Sequence, residues 1–265
     1  MKRENPDTTI HTVPGQRTGS PDVHHAAHAR VPVDLELVVP AFNEAGRLPD
    51  TLRALTAFLA DQDWRSRIVV VDNGSTDETT AVVAAADRRG VDVVAIGCAR
   101  PGKGAAVRRG LSSSTSRFAG FVDADLSTPI STLTRVMAEL RAGAAAAIAS
   151  RHAPGARFVH PQPVGRRVGG AAFRMLARPL VPEVHDTQCG FKVFERVAVQ
   201  SALARCRVSG FAFDVELLRQ IRSVGGRIAE IAVAWTDDER STFRPVHDGR
   251  AAFADLLRLY RADLP

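Results

Sequence analysis

Apolar residues fall into short unbroken runs, separated by polar or Gly- and Pro-bearing turns, and the runs alternate with stretches of helical spacing. Leu35-Glu36-Leu37-Val38-Val39 reads as a strand stopped by Pro40, followed by strands over Arg67–Asp72, Val91–Ile96, Phe118–Val122 and the Ala-rich Ala144–Ala149. Between them, Leu48, Leu52, Leu55 and Leu59 repeat at helical spacing, and Asp77 offers an N-cap after the turn Asn73-Gly74-Ser75-Thr76. Further helices are expected over Gly102–Ser112 and Ile130–Leu140. The alternation predicts an α/β fold, a mostly parallel sheet with helices on both faces. Such sheets bind ligands outside the carboxyl ends of their strands. The unusual polar residues sit at those ends: Asn43 and Glu44, Asp72, Lys103, then Asp123 and Asp125.

The second half is less regular. Arg151–Gly170 reads as a long loop, Arg166–Leu180 as a helix, and Asp186–Lys192 as a polar turn into a short strand near Val193-Phe194. Phe211–Leu218 opens a helix carrying Asp214 and Glu216, Arg227–Trp235 is a strand, and Gly249–Arg261 is an amphipathic helix. Residues 1–33 have little apolar periodicity and are expected to be a disordered extension, with His24, His25 and His28 as parts of a polar tail. One domain is expected over 34–265, its 34–149 half for the donor and its 150–265 half for the acceptor.

Composition narrows the partners. With 45% hydrophobic residues among 265, the chain can bury a full core. A net charge of +6 points to an anionic ligand, but a single Tyr and two Trp provide few stacking platforms for nucleic acid. Cys98, Cys189 and Cys206 are odd in number and form no Cys-x-x-Cys, which argues for reduced thiols and against a zinc site. No run approaches a membrane span and no apolar core follows the basic N-terminus, so a cytoplasmic protein, at most peripheral on the inner membrane face, is expected.

The chemistry centres on Phe118-Ala119-Gly120-Phe121-Val122-Asp123-Ala124-Asp125-Leu126-Ser127-Thr128-Pro129. Asp123 and Asp125 stand one residue apart at the end of the apolar run. Ser-Thr-Pro is turn chemistry. Two carboxylates at the open end of a buried strand suit Mg²⁺ or Mn²⁺ holding a diphosphate. The string Gly97–Gly104 is close to a phosphate-binding P-loop, but Gly104 stands where Ser or Thr would ligate Mg²⁺, which argues against an ATPase.

Val39–Glu44, Val71–Asp77, Gly102–Arg108 and Asp123–Pro129 resemble the motifs of family 2 glycosyltransferases of GT-A fold. Ala149-Ser150-Arg151, Asp186-Thr187-Gln188-Cys189-Gly190-Phe191-Lys192 and Phe211–Leu217 bring the resemblance to the dolichyl-phosphate β-glucosyltransferase and dolichol-phosphate mannosyltransferase branch. That resemblance implies an inverting transfer from a nucleotide-diphosphate sugar to a polyprenyl phosphate. It implies that Pro40, Ala41, Asn43, Glu44 and Asp72 hold the nucleoside, that Asp123 and Asp125 meet metal and diphosphate, and that Arg151 and Arg166 grip phosphate. Lys103 and Ala124 belong to the same donor site. The Asp-Thr-Gln-Cys-Gly-Phe-Lys string favours UDP-glucose over GDP-mannose.

The nucleophile decides whether a base is needed. A phosphate monoester is already largely ionised at pH 7, whereas an alcohol needs a general base. Asp186 is the preferred base or acceptor-orienting residue, with Glu216 and Asp214 behind it, and Gln188 orients acceptor or sugar. Membrane-bound relatives carry an anchor, where this chain has a polar tail. A soluble hydroxyl acceptor, such as a secondary metabolite, therefore stays open as an alternative; a nucleotide-sugar sensor on the same fold without turnover is a separate one.

Overall fold

The computed structural model describes residues 32–160, 164–236 and 245–261, without the side chains of 164, 166 and 245–250. The His-bearing extension lies outside the described residues. The chain from Pro32 onward forms one compact unit.

Seven strands make its central sheet. The first three, β1 (Leu35–Ala41), β2 (Ser66–Asp72) and β3 (Asp92–Gly97), alternate with helices α1 (Leu48–Ala60), α2 (Thr79–Ala84) and α3 (Lys103–Ser113). Next come β4 (Phe118–Val122), α4 (Thr132–Arg141) and β5 (Ala146–Ser150). A two-residue strand β6 (Arg157–Phe158) and helix α5 (Val164–Ala177) lead to β7 (Phe191–Glu195). The chain then forms α6 (Arg196–Leu203), α7 (Phe213–Ser223), β8 (Ile228–Ala232), β9 (Ala234–Trp235) and α8 (Pro245–Arg261). The sheet order is β3-β2-β1-β4-β7-β5-β8, while β6 and β9 pair separately.

All neighbours in the sheet are parallel except around β7, which runs antiparallel to both β4 and β5. This reversed strand positions the site. Parallel strands bring their carboxyl ends to one rim; β7 begins at that rim, so the Asp186–Gly190 turn ahead of it sits beside the end of β4. The sheet is continuous across the expected division at 149/150, since β5 lies between β7 and β8. Its two faces carry separate apolar layers. One joins Leu48, Leu52 and Leu55 of α1 to Leu133 and Met137 of α4, and the other joins Leu111 of α3 to Phe121, Phe194 and Phe213.

Several expectations shift. Pro40 does not stop β1, which pairs with β2 as far as Ala41 opposite Asp72. Pairing with β4 ends at Val38 opposite Phe121, so Pro40 lies where β1 has lost one neighbour and its missing N–H breaks no ladder. The loop expected over Arg151–Gly170 is half folded, into β6 and the first turns of α5. The strand expected over Arg227–Trp235 divides into β8 and β9. Helix α6 has no counterpart in the sequence reading; Glu195 caps it, accepting a 2.8 Å hydrogen bond from Ala198 N–H.

Candidate active site

Two loops at the ends of β1 and β2 lock together first. Asn43, with φ of +55°, accepts a hydrogen bond from Thr76 N–H at 2.8 Å on Oδ1 and donates its own N–H to Ser75 Oγ at 2.9 Å. Asp72 accepts from Ser75 N–H at 3.1 Å. Glu44 N–H donates to Thr79 Oγ1 at 2.9 Å, and its carboxylate pairs with Arg47. Ala41 is buried and its carbonyl accepts Asn73 N–H, which leaves Pro40 and Ala41 as wall rather than as polar contacts. Asn73 extends the clamp to the next loop, donating to Cys98 and Arg100 carbonyls at 3.0 and 2.7 Å and accepting Gly102 N–H at 2.8 Å. The sequence reading quoted Asn73 only as part of a motif.

The P-loop look-alike has another explanation. A Cβ on Gly102 would lie 2.8 Å from Ser209 O, and one on Gly104 would lie 2.6 Å from Phe213 Cβ. These glycines admit the 209–213 segment against α3, and Ser209 O takes the Ala105 amide at 3.1 Å.

A tight turn follows β4 where the Ser-Thr-Pro stretch predicts one. Leu126 N–H donates to Asp123 O at 3.2 Å, closing a tight turn, and Leu126 adopts φ of +46°. Ala124, expected at the donor site, instead buries its methyl in the core, and its carbonyl accepts from the Thr51 hydroxyl. Asp123 and Asp125 line one cleft, with Ser127, Gly190 and Trp235 among its walls. Asp125 accepts Ser127 N–H at 3.0 Å. Burial, then the Asp123 charge, pushes its pKa above the ordinary carboxylate value despite Lys103 and Ser127.

Lys103 Nζ lies 2.6 Å from Asp123 Oδ1. Burial acts to lower its pKa, but Asp123, Asp214 and Asp125 outweigh burial and the net shift is upward. Asp214 in turn pairs with Lys192 Nζ at 2.9 Å. Lys192 is fully buried over the Phe121 ring and also donates to Cys189 O. The row reads Asp125, Asp123, Lys103, Asp214, Lys192, three negative charges against two positive. A surplus negative charge at the exposed end suits a cation. Among the described residues no three His, Cys, Asp or Glu side chains gather to hold a metal. An Mg²⁺ or Mn²⁺ ion held by Asp123 and Asp125 would therefore draw its remaining ligands from water and diphosphate oxygens, the coordination Mg²⁺ commonly takes.

On the other flank stands Arg151. Its Nε and N–H donate to Asp186 Oδ2 at 2.7 and 2.9 Å, and its Nη2 donates to Oδ1 at 2.8 Å. Gln188 N–H adds a fourth bond to Oδ1 at 3.1 Å. Asp186 is fully buried. Burial alone would raise its pKa, but the Arg151 charge and hydrogen bonds hold it far below the usual carboxylate range. The guanidinium also lies 5.5 Å over the Trp235 ring. Glu230 fixes the turn from behind, accepting Asp186 N–H at 3.0 Å and His185 N–H at 2.9 Å. The sequence reading missed Glu230, although a lone acid within apolar β8 was a signal. Glu216 is nearly buried, and its carboxylate accepts Arg207 N–H and Val208 N–H at 2.8–3.0 Å. Arg166 lies on α5 with its side chain outside the description. The structure thus brings Asp72, Asn43, Lys103, Asp123, Asp125, Arg151, Asp186 and Gln188 to one rim, but it leaves none of the three base candidates with a free carboxylate. Asp186 is saturated, Asp214 is ion-paired and Glu216 holds a backbone turn.

The profile of glycosyl transferase family 2 matches residues 36–202. The chain belongs to glycosyltransferase family 2. Dolichyl-phosphate beta-glucosyltransferase from Homo sapiens is 32% identical over 238 residues, 84% of this chain and 74% of that protein. The Drosophila melanogaster enzyme of that name is 31% identical over 243 residues, 86% of this chain and 74% of its own length. Among solved structures, glucosyl-3-phosphoglycerate synthase from Mycobacterium tuberculosis with uridine-diphosphate has a TM-score of 0.63 at 22% identity, covering 88% of this chain and 81% of that one. The fold of this family 2 protein is GT-A, and its activity is that of a glycosyltransferase.

Proposed function

We propose that this glycosyltransferase moves glucose from UDP-glucose to a polyprenyl phosphate, with inversion and with a divalent cation. The carrying observation is the state of Asp186, Asp214 and Glu216: each carboxylate is already held by a cation or by backbone amides. A phosphate monoester, with its second pKa near 6, attacks without proton abstraction and needs only positioning by cations. Arg151, held in place by Asp186 and Trp235, is the positioned cation at the acceptor side. The names of the relatives at 31–32% identity agree with a polyprenyl-phosphate acceptor and a glucosyl donor.

Asp123 and Asp125 would hold Mg²⁺ or Mn²⁺, which when bound supplies charge neutralisation for the departing diphosphate. The solved relatives of this fold include a complex with Mn²⁺ and uridine-diphosphate. Lys103 stands ready beside the same carboxylate, and its ammonium can turn to phosphate oxygens when the donor enters. Asn43, Asp72 and Asn73 shape the loops that receive the nucleoside, and Gln188 faces the donor–acceptor boundary. Among the described residues no helix is long and apolar enough to cross a membrane.

The test is transfer from radiolabelled UDP-glucose, with Mn²⁺, to a short polyprenyl phosphate and to the matching polyprenol. GDP-mannose runs as the competing donor. Transfer to the phosphate alone, with a flat rate around pH 7, is expected, and Asp123→Ala should abolish sugar release. Transfer to the alcohol alone refutes the reading.

A further inference from the structure

Gly190 lies across the β4–β7 ladder from Asp123. Asp123 N–H donates to Gly190 O at 2.9 Å, one step beyond the last paired residues, Val122 and Phe191. A Cβ built on Gly190 would fall 1.9 Å from Asp123 Oδ2, 2.1 Å from Cγ and 2.6 Å from Oδ1. Non-bonded heavy atoms settle at roughly 3.5–4.0 Å, so the carboxylate fills the space a side chain would take. Gly190 is absent from the positive-φ residues, so its backbone would accept alanine. The carboxylate, not the backbone, excludes it.

We propose that Gly190 is a positioning residue for Asp123: its bare Cα is the floor on which the carboxylate rests. From there Oδ1 meets Lys103 at 2.6 Å and the group shares the cleft with Asp125. A methyl at position 190 drives the carboxylate off that floor and separates it from both. The glycine of the Asp186–Lys192 string therefore acts through Asp123, and the string links the acceptor-side turn to the donor-side carboxylates. In what concerns the cation, this inference rests on the function proposed above.

The test compares wild type with Gly190→Ala, Asp123→Ala and the double variant, each as the full chain, with Gly120→Ala as a control. Gly120 is blocked by other atoms, Lys192 O at 2.5 Å and Val193 Cγ2 at 2.7 Å. Thermal unfolding without metal reads the geometry directly. Gly190→Ala should lower the melting temperature or fail to fold; the same change in the Asp123→Ala background should cost little, whereas Gly120→Ala should be equally harmful in both backgrounds. Electron paramagnetic resonance of Mn²⁺ with UDP reads the consequence, with affinity for Gly190→Ala falling roughly 10-fold or more. Gly190→Ala harming both backgrounds alike overturns the inference. So does wild-type Mn²⁺ affinity in Gly190→Ala. Rescue in the double variant with no Mn²⁺ bound by wild type keeps the positioning role and removes the metal reading instead.

Discussion

Replacing Asp186 by Asn changes one atom and removes the centre of the acceptor-side turn. Both oxygens of Asp186 accept two donors each: Oδ2 from Arg151 N–H and Nε, and Oδ1 from Arg151 Nη2 and Gln188 N–H. Whichever way the amide is turned, its NH₂ faces two donors, and Arg151 loses its counter-charge inside the protein. Hydrogen bonds to charged groups contribute about 1.5–3 kcal/mol each, and breaking a buried ion pair from one side costs about 3–5 kcal/mol. The second figure already contains the first, so a loss of about 3–5 kcal/mol is expected at pH 7. Urea unfolding followed by tryptophan fluorescence measures it, with Trp235 a reporter next to Arg151. The sign with pH follows from the depressed folded pKa. The unfolded chain takes up the proton first, so the carboxylate's contribution is complete above the ordinary Asp value of about 3.9 and drains away as pH falls below it. The gap between wild type and Asp186→Asn should therefore narrow below about pH 4. In turnover, the variant should weaken apparent acceptor affinity without adding a pH dependence near neutrality. A loss under about 1 kcal/mol, or a rate that acquires a new titration near pH 7, would show that the Arg151–Asp186 pair has been misread.

Three further outcomes follow from the same geometry. Glu216→Gln should lose about 1–3 kcal/mol in urea unfolding, because a donor NH₂ replaces an acceptor of the 207 and 208 amides, while the pH–rate profile keeps its shape. Lys192→Met should cost about 3–5 kcal/mol by leaving Asp214 without its buried partner, with thermal unfolding as the check. Burial pushes the Cys189 thiol up to about 11 and Cys206 to about 12, so a disulfide reagent at pH 8 should titrate Cys98 alone in the folded protein and all three thiols in denaturant.

The first half of the fold was legible because β1, β4 and β5 are buried on both faces and α1 repeats leucine every turn; Phe118–Val122 ends where its pattern says. The turn at Asp123–Asp125 was legible as well, since Ser-Thr-Pro is turn chemistry. What hid was pairing. Nothing local in Phe191–Glu195 reveals that β7 runs against its neighbours, and nothing in Asp214 or Glu216 reveals that their charges are already spent inside the protein. Those facts depend on partners that the fold brings up: Lys192 for Asp214, the 207–208 amides for Glu216, and Arg151 for Asp186. A carboxylate's residue type announces a potential proton acceptor, whereas its availability is decided by tertiary contacts. Glu230 was the readable exception, an acid that apolar β8 would not carry without a use.

The reversed direction of β7 has a consequence for how such a protein can diversify. Its leading end meets the finishing end of β4, so the late portion of the chain delivers its own contribution to the rim through one short junction. Lengthening or reshaping the connection ahead of Asp186 would alter what arrives opposite the sugar while leaving the cradle for the nucleoside as it was.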